Sequence, residues 1–258
     1  MIYNFHTHTA RCGHASGTEK EYIETAIAGG IRTMGFSDHI PLAYGDGHED
    51  TWRIPLSQAK DYVDTLHTLT REYADRIELH IGFECEYYPA YFDSMLAYAK
   101  DLGAEYLILG QHYLMGDTPA DAIKMCQNTT DPALLRRYVS TVIEGMETKK
   151  FTYVAHPDVL MASVDETVYD AEMQRLCEAS RALDVPLEIN FLGIRRGRHY
   201  PHDRLWRIAG QVGAPVTFGF DAHKPSEAYD ASSLAVAKDM VAQHGLNYIG
   251  KPTLKPLV

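Results

Sequence analysis

The segment NFHTHTARCGH, residues 4–14, gathers His6, His8 and His14 within nine positions. Two hundred residues on, FGFDAH carries Asp221 and His223. Both HxH and DxH are spaced i, i+2, so on an extended strand the two side chains of a pair point the same way. Between them, single imidazoles or carboxylates sit in short apolar runs: His39 in GFSDH, Glu84 in GFECE, His112 in GQHY and His156 in AHPD. Imidazole and carboxylate together suit zinc, manganese or iron. One catalytic zinc takes three protein ligands. His6, His8, His14, His39, Glu84, His112, His156, Asp221 and His223 therefore suffice for two or three ions with a bridging carboxylate.

Residues so far apart in the chain converge only if the elements bring them together. The runs MIYNFHTH, RTMGFSDH, IELHIGFECEYY, EYLILGQHY, FTYVAHPD, VPLEINFLG and PVTFGFDAH are short and apolar, and end in polar residues. Such runs fit strands covered on both faces, as in a parallel sheet. Helical stretches alternate with them: Thr18 to Ala28, with Thr18 and Glu21 as a capping box, then Leu56–Tyr73, Tyr91–Lys100, Pro132–Glu147, Ala171–Ala182, His202–Gln211 and Ser232–His244. Seven strand–helix units predict an α/β fold, a distorted (β/α)7 TIM-like barrel, with an open doubly wound sheet as the alternative. No GxGxxG follows the first strand, which weakens the dinucleotide form of that alternative. In a β/α barrel, chemistry gathers at the C-terminal ends of the strands. Those ends carry, besides the residues above, Asp38, Glu86, Asp158, Glu188 and Asn190, and then Arg195, Arg196 and Arg198.

The 258 residues suit a single domain over 1–258. A net charge of −11 argues against nucleic acid and anionic membrane as partners, because both need phosphate neutralised by Lys and Arg. The four cysteines are dispersed and form no CxxC, so reduced thiols are expected. No signal-like segment and no apolar run of about 18 residues is visible. The expected location is the cytoplasm.

In order along residues 6–223, HTHTARCGH, GFSDH, GFE, GQHY, AHPD and FGFDAH resemble the successive motifs of the PHP family, the polymerase-and-histidinol-phosphatase metal-dependent phosphoesterases. The resemblance implies a distorted barrel of seven β/α units and a centre of three divalent ions. It implies that His6, His8, Glu84 and Asp221 hold one ion. Glu84 would bridge to a second, completed by His112 and His156, and His14, His39 and His223 would hold the third. Within the family, HTARCGHASG, WRIPLSQAKDYV and LEINFLGIRRGRHYP are similar to the monofunctional histidinol-phosphatase branch. That similarity implies L-histidinol phosphate as the small-molecule substrate, a place in histidine biosynthesis, and Arg53 and Arg195 as phosphate contacts. GQHYLMG departs from the pattern where a serine and valine would precede the histidine, and Glu86 stands where an aspartate is common.

The expected mechanism is attack on phosphorus by a hydroxide bridging two ions, with Arg195 taking up developing phosphoryl charge through its planar fork. Arg195→Ala is then expected to keep metal and weaken substrate binding. Asp38, Asp158 and a metal-bound water stay open as the acid for the leaving group, while Asp38, Glu86 and Asp158 also fit partners that orient imidazoles, the favoured role for the two aspartates. His48 and His199 are candidate substrate contacts at the mouth of the site, with a solvated loop as the plainer reading. Arg196 and Arg198 read as surface charges, an anion contact being the alternative, and Cys12 as a packing residue. Another small phosphate ester, a nucleotide or a phosphotyrosine is the alternative substrate. Amide hydrolysis is the alternative reaction, and it leaves His14, His39 and the arginines without a task.

Overall fold

Each apolar run becomes a strand and each amphipathic run a helix laid against it. The computed structural model describes residues 1–45, 47–114 and 122–257. Met115 and Gly116 of GQHYLMG, and Asp46, two residues before His48, lie outside the described residues. Eight strands form one parallel sheet in chain order: β1 (Tyr3–Asn4), β2 (Thr33–His39), β3 (Glu78–Cys85), β4 (Tyr106–Leu109), β5 (Phe151–Val154), β6 (Leu187–Asn190), β7 (Pro215–Gly219) and β8 (Asn247–Tyr248). Beyond β1 and β7, Thr7 bridges Ala222 in parallel. The His8 amide donates to the Ala222 carbonyl at 3.0 Å, and the Ala222 amide to the His6 carbonyl at 3.3 Å. The sheet thus curls into a distorted barrel, joined at the C-terminal ends of its strands.

At the opposite end β1 and β7 stay apart. There Pro215 and Val216 pair with Asn247 and Tyr248 of β8, and the Tyr3 and Tyr248 hydroxyls lie 3.1 Å apart. This eighth strand is absent from the seven read in the sequence, because two residues give no periodic signal.

The helices are α1 (Glu19–Ala28), α2 (Leu56–Glu72), α3 (Phe92–Asp101), α4 (Pro132–Glu147), α5 (Glu166–Leu183), α6 (Phe191–Arg195), α7 (Asp203–Val212) and α8 (Ala231–His244). The Thr18–Glu21 capping box opens α1 as expected. α5 starts five residues earlier than its apolar pattern, because Asp165 caps it through the Thr167 amide at 2.9 Å. Asn190 ends β6 and at once caps α6, accepting from the Gly193 amide at 3.1 Å. Two small ladders add to the C-terminal face: Tyr113–Leu114 antiparallel to Ile123–Lys124, and Asn128–Thr129 parallel to Met161–Ala162.

Alternation along β4 shows how the core divides. Leu107 and Leu109 join the large core under the helices, while Tyr106 and Ile108 turn the other way, onto Tyr3, Phe5, Tyr153 and Ala155. This second cluster fills the lower interior of the curl. Above it, at the strand ends, the interior is polar. No helix among the described residues is long and apolar enough to cross a membrane.

Candidate metal centre

The pairing of β2 with β3 sets His39 directly beside Glu84, and the Thr7–Ala222 bridge brings His6 and His8 to Asp221. Glu84 lies at the hub. Its Oε2 is 3.5 Å from His6 Nε2, 3.5 Å from His8 Nε2 and 3.3 Å from His39 Nδ1. Its Oε1 is 2.9 Å from His156 Nε2 and 3.5 Å from His112 Nε2. Asp221 Oδ1 is 3.6 Å from His6 Nε2 and 3.3 Å from His8 Nε2. Two atoms that each lie about 2.1 Å from a tetrahedral ion stand about 3.4 Å apart. The spacings among His6, His8, Glu84 and Asp221 match that value.

His6 Nε2, His8 Nε2, His39 Nδ1, Glu84 Oε2 and Asp221 Oδ1 are all buried, and none has a hydrogen-bond partner. Leaving one such group unpaired costs about 1–3 kcal/mol. Several together, on both carboxylates and imidazoles, fit a bound cation. The charge balance points the same way. Asp38, Glu84, Glu86, Glu188 and Asp221 are all buried. Glu86 has Arg53 at 2.6 Å, whereas the other four face imidazoles, amides or a hydroxyl.

A second layer fixes which nitrogen faces inward. His6 Nδ1 is 2.8 Å from Glu188, His8 Nδ1 3.3 Å from Asp38, and His112 Nδ1 2.8 Å from Glu86. A carboxylate on one ring nitrogen orients the ring and makes the other nitrogen a better ligand. Glu188 also accepts the His156 amide at 3.0 Å, so one side chain steadies two candidate ligands. His156 and Asp221 both have left-handed backbone, with φ of 30° and 47°. Such conformations cost about 1–3 kcal/mol and gather at functional sites.

Burial and neighbouring charges shift the titration of the cluster in opposite directions. Burial opposes a charge on His8, but the nearby carboxylates of Asp221, Asp38 and Glu84 outweigh that and lift it to about 9. Burial, reinforced by His8, holds His39 well below its ordinary value. Burial opposes the charge on Glu84, yet His112, His6 and His39 keep it well below the carboxylate range. Ligand imidazoles are neutral, so metal binding would release such protons.

His8, His39 and His223 form a compact triad, the rings of His8 and His223 stacked at 4.1 Å. His14 stands at its exposed rim, 4.9 Å from the His223 ring and 5.2 Å from that of His39, with Nδ1 on the Cys12 carbonyl. Cys12 is fully buried, and its Sγ lies 3.8 Å from His14 Nε2.

A cavity of about 530 Å³ opens over this cluster, and Lys124, Arg196 and Arg198 lie on its wall with Trp52, Tyr113 and Tyr200. The expected phosphate contacts are elsewhere. Arg195 donates to the Phe220 and Asp221 carbonyls at 3.1 Å each and to Asp230 at 3.2 Å. It supports the end of β7 from behind. Arg53 is 2% exposed and is held by Asp50, Glu86 and the Ile40 carbonyl. His199 bonds the Val159 carbonyl at 2.9 Å, and His48 is 3.5 Å from Asp50. Neither histidine lines the cavity.

Nor does either candidate acid reach it. Asp38 accepts from the Thr9 amide and hydroxyl and from the His39 amide, besides facing His8. It orients its neighbours and has no free oxygen for a leaving group. Burial pushes Asp158 up to about 6, and it accepts the His202 amide away from the cavity. Of the cations that do line the cavity, Arg196 and Arg198 read from sequence as surface charges with an anion contact as the alternative, and Lys124 carries no pattern in the sequence beyond its charge.

A model of the PHP domain matches residues 4–191, most of the chain. The chain belongs to the PHP domain family. The match holds seven of the nine residues of the cluster, and Asp221 and His223 follow beyond it. Over 86% of both chains, this PHP protein is 28% identical to a Deinococcus radiodurans protein named a probable histidinol-phosphatase. It is 24% identical to the Bacillus subtilis histidinol-phosphatase, covering 88% of this chain and 96% of that one. Its fold is that of a Lactococcus lactis histidinol phosphate phosphatase solved with zinc, L-histidinol and phosphate. The TM-score is 0.73 at 17% identity, over 96% of this chain and 95% of the other.

Proposed function

We propose that this PHP domain is a metal-dependent phosphomonoesterase that hydrolyses L-histidinol phosphate to L-histidinol and phosphate. The observation that carries the reading is the Glu84 hub, a buried set of unpartnered nitrogens and oxygens under a cavity with Lys124, Arg196 and Arg198 on its wall. The relatives' names supply the substrate. In this reading residues 1–258 act as one catalytic domain, in the cytoplasm, within histidine biosynthesis, and no nucleic acid is bound.

Three divalent ions, zinc, manganese or iron, would be held by His6, His8, Glu84 and Asp221, by Glu84, His112 and His156, and by His14, His39 and His223. Such ions, when bound, lower the pKa of water from 15.7 to about 7 and offset phosphoryl charge. The chain's own part is positioning. Glu188, Asp38 and Glu86 keep His6, His8 and His112 with Nε2 inward. Arg196 and Arg198, from the turn after α6, and Lys124, from the hairpin opposite, draw the phosphate dianion into the cavity. Their charge stabilises the transition state to the extent that it meets oxygens whose charge grows during transfer. With Asp38 and Asp158 turned away, the leaving alkoxide takes its proton from water in the cavity. Amide hydrolysis would leave the three cations without a task.

The test is phosphate release by protein stripped of metal and reloaded with Zn²⁺, Mn²⁺ or Fe²⁺, on a panel that includes L-histidinol phosphate. The expected kcat/KM on that ester is about 10⁴ M⁻¹s⁻¹ or more, and His8→Ala is expected to lose metal and activity together. Turnover of other phosphomonoesters alone moves the substrate. No turnover by metal-loaded protein ends the phosphatase reading.

A further inference from the structure

Holding metal ions does not require the aromatic pair on the cavity wall. Trp52 follows β2 and Tyr113 follows β4, and their rings stack at 5.1 Å with planes 24° apart. Both line the same cavity as the cluster. The indole meets the ring of His39 edge-on at 5.2 Å and that of His112 at 5.7 Å. An ester whose phosphate reaches the cluster therefore has its alcohol part beside this pair.

The pair is also built to stay in place. The Arg53 guanidinium lies 4.0 Å over the indole. It is itself fastened in the interior by Asp50, by Glu86 and by the Ile40 carbonyl. A buried arginine with three such partners is rigid, and a rigid aromatic surface binds a flat ring at little cost in ordering. Aromatic pairs prefer offset or edge-on contacts and contribute beyond the area they bury.

We propose that Trp52 and Tyr113 are the specificity-determining residues of the site, forming a wall that selects phosphomonoesters whose alcohol part bears a small planar ring over aliphatic ones. The proposal rests on the phosphomonoesterase reading above. It assigns a binding role to residues that no metal-ligand pattern marks, and it turns Arg53 from an expected phosphate contact into the support of that wall.

The experiment measures kcat and KM for L-histidinol phosphate and for the ring-free O-phosphoethanolamine in wild type, Trp52→Leu and Tyr113→Leu at matched metal content. The ratio of the two kcat/KM values is expected to fall about threefold to tenfold in each variant, through KM for the ring-bearing ester. A ratio that stays constant while both substrates suffer equally overturns the wall and leaves the phosphatase reading intact. A wild-type protein that hydrolyses no phosphomonoester overturns both. Fluorescence gives a readout free of turnover and of folding in the variants. The chain has two tryptophans, and Trp206 is fully buried, so ligand-dependent emission reports Trp52. In the metal-loaded wild type, L-histidinol is expected to change that emission saturably, and ethanolamine to leave it flat. Equal responses to the two overturn the proposal.

Discussion

Arg195 and Arg198 stand three residues apart and serve opposite ends. Arg195 is the last residue of α6, and its guanidinium holds the carbonyls of Phe220 and Asp221. Asp221 needs that support, because its backbone is left-handed, with φ of 47°. Arg198, past the turn at Gly197, faces the cavity instead. Their substitution should separate the two roles. Arg195→Ala is expected to lower bound metal and activity together, reversing the expectation from sequence. Arg198→Ala is expected to keep its metal and raise KM about tenfold or more, the worth of one hydrogen bond to a charged group. Metal content by atomic emission, read beside steady-state kinetics, distinguishes them, and full metal retention in Arg195→Ala would sink the positioning role.

Between elements, the cluster depends on clearance as much as on ligands. Glu84 can turn inward because Gly110, just past the end of the neighbouring strand, lacks a side chain. A Cβ on Gly110, just past β4, would stand 1.9 Å from Glu84 Oε1, and one on Gly219, at the end of β7, 1.7 Å from Glu188 Oε1. Both carboxylates are buried and tied to imidazoles, so neither yields cheaply. Gly110→Ala is expected to leave the fold intact and to weaken metal binding about 10- to 100-fold, the range seen when the support of a ligand is lost. Far-UV circular dichroism checks the fold, and competition with a chromogenic chelator measures the affinity. An unchanged affinity in a folded variant would refute the clearance argument. Across the cavity the same logic links wall and ligand, since Arg53 holds both Trp52 and Glu86, and Glu86 holds His112.

For the whole molecule, closure of the sheet and assembly of the cluster share one contact: the Thr7–Ala222 bridge that closes the curl also carries His6 and His8 to Asp221. A cation that binds the folded chain and not the unfolded one stabilises by mass action, by about 4 kcal/mol at a thousandfold excess over Kd. In a chain of this size each kcal/mol moves Tm by about 2–4 °C. Chelation is therefore expected to lower Tm by about 8 °C or more in scanning calorimetry. His8→Ala is expected to start lower and to respond less. A wild-type Tm indifferent to chelator would mean that the cluster is satisfied without metal.

The strand ends and most of the cluster were legible in the sequence. Period-two spacing in HTH and DAH fixes which side chains share a face, and parallel strands place their ends on one side of the sheet. Local rules of that kind need no knowledge of neighbours. The eighth strand was not legible, because β8 is two residues long and exists only by pairing with β7. The pairing of carboxylate with imidazole was legible only in kind, since Glu188 reaches His6 across 182 positions. Which arginine meets the cavity was decided by the five-residue helix α6, which turns Arg195 onto the end of β7 and leaves Arg196 and Arg198, both exposed, on the cavity wall. Charge is written in the sequence, but the direction in which it points is set by packing.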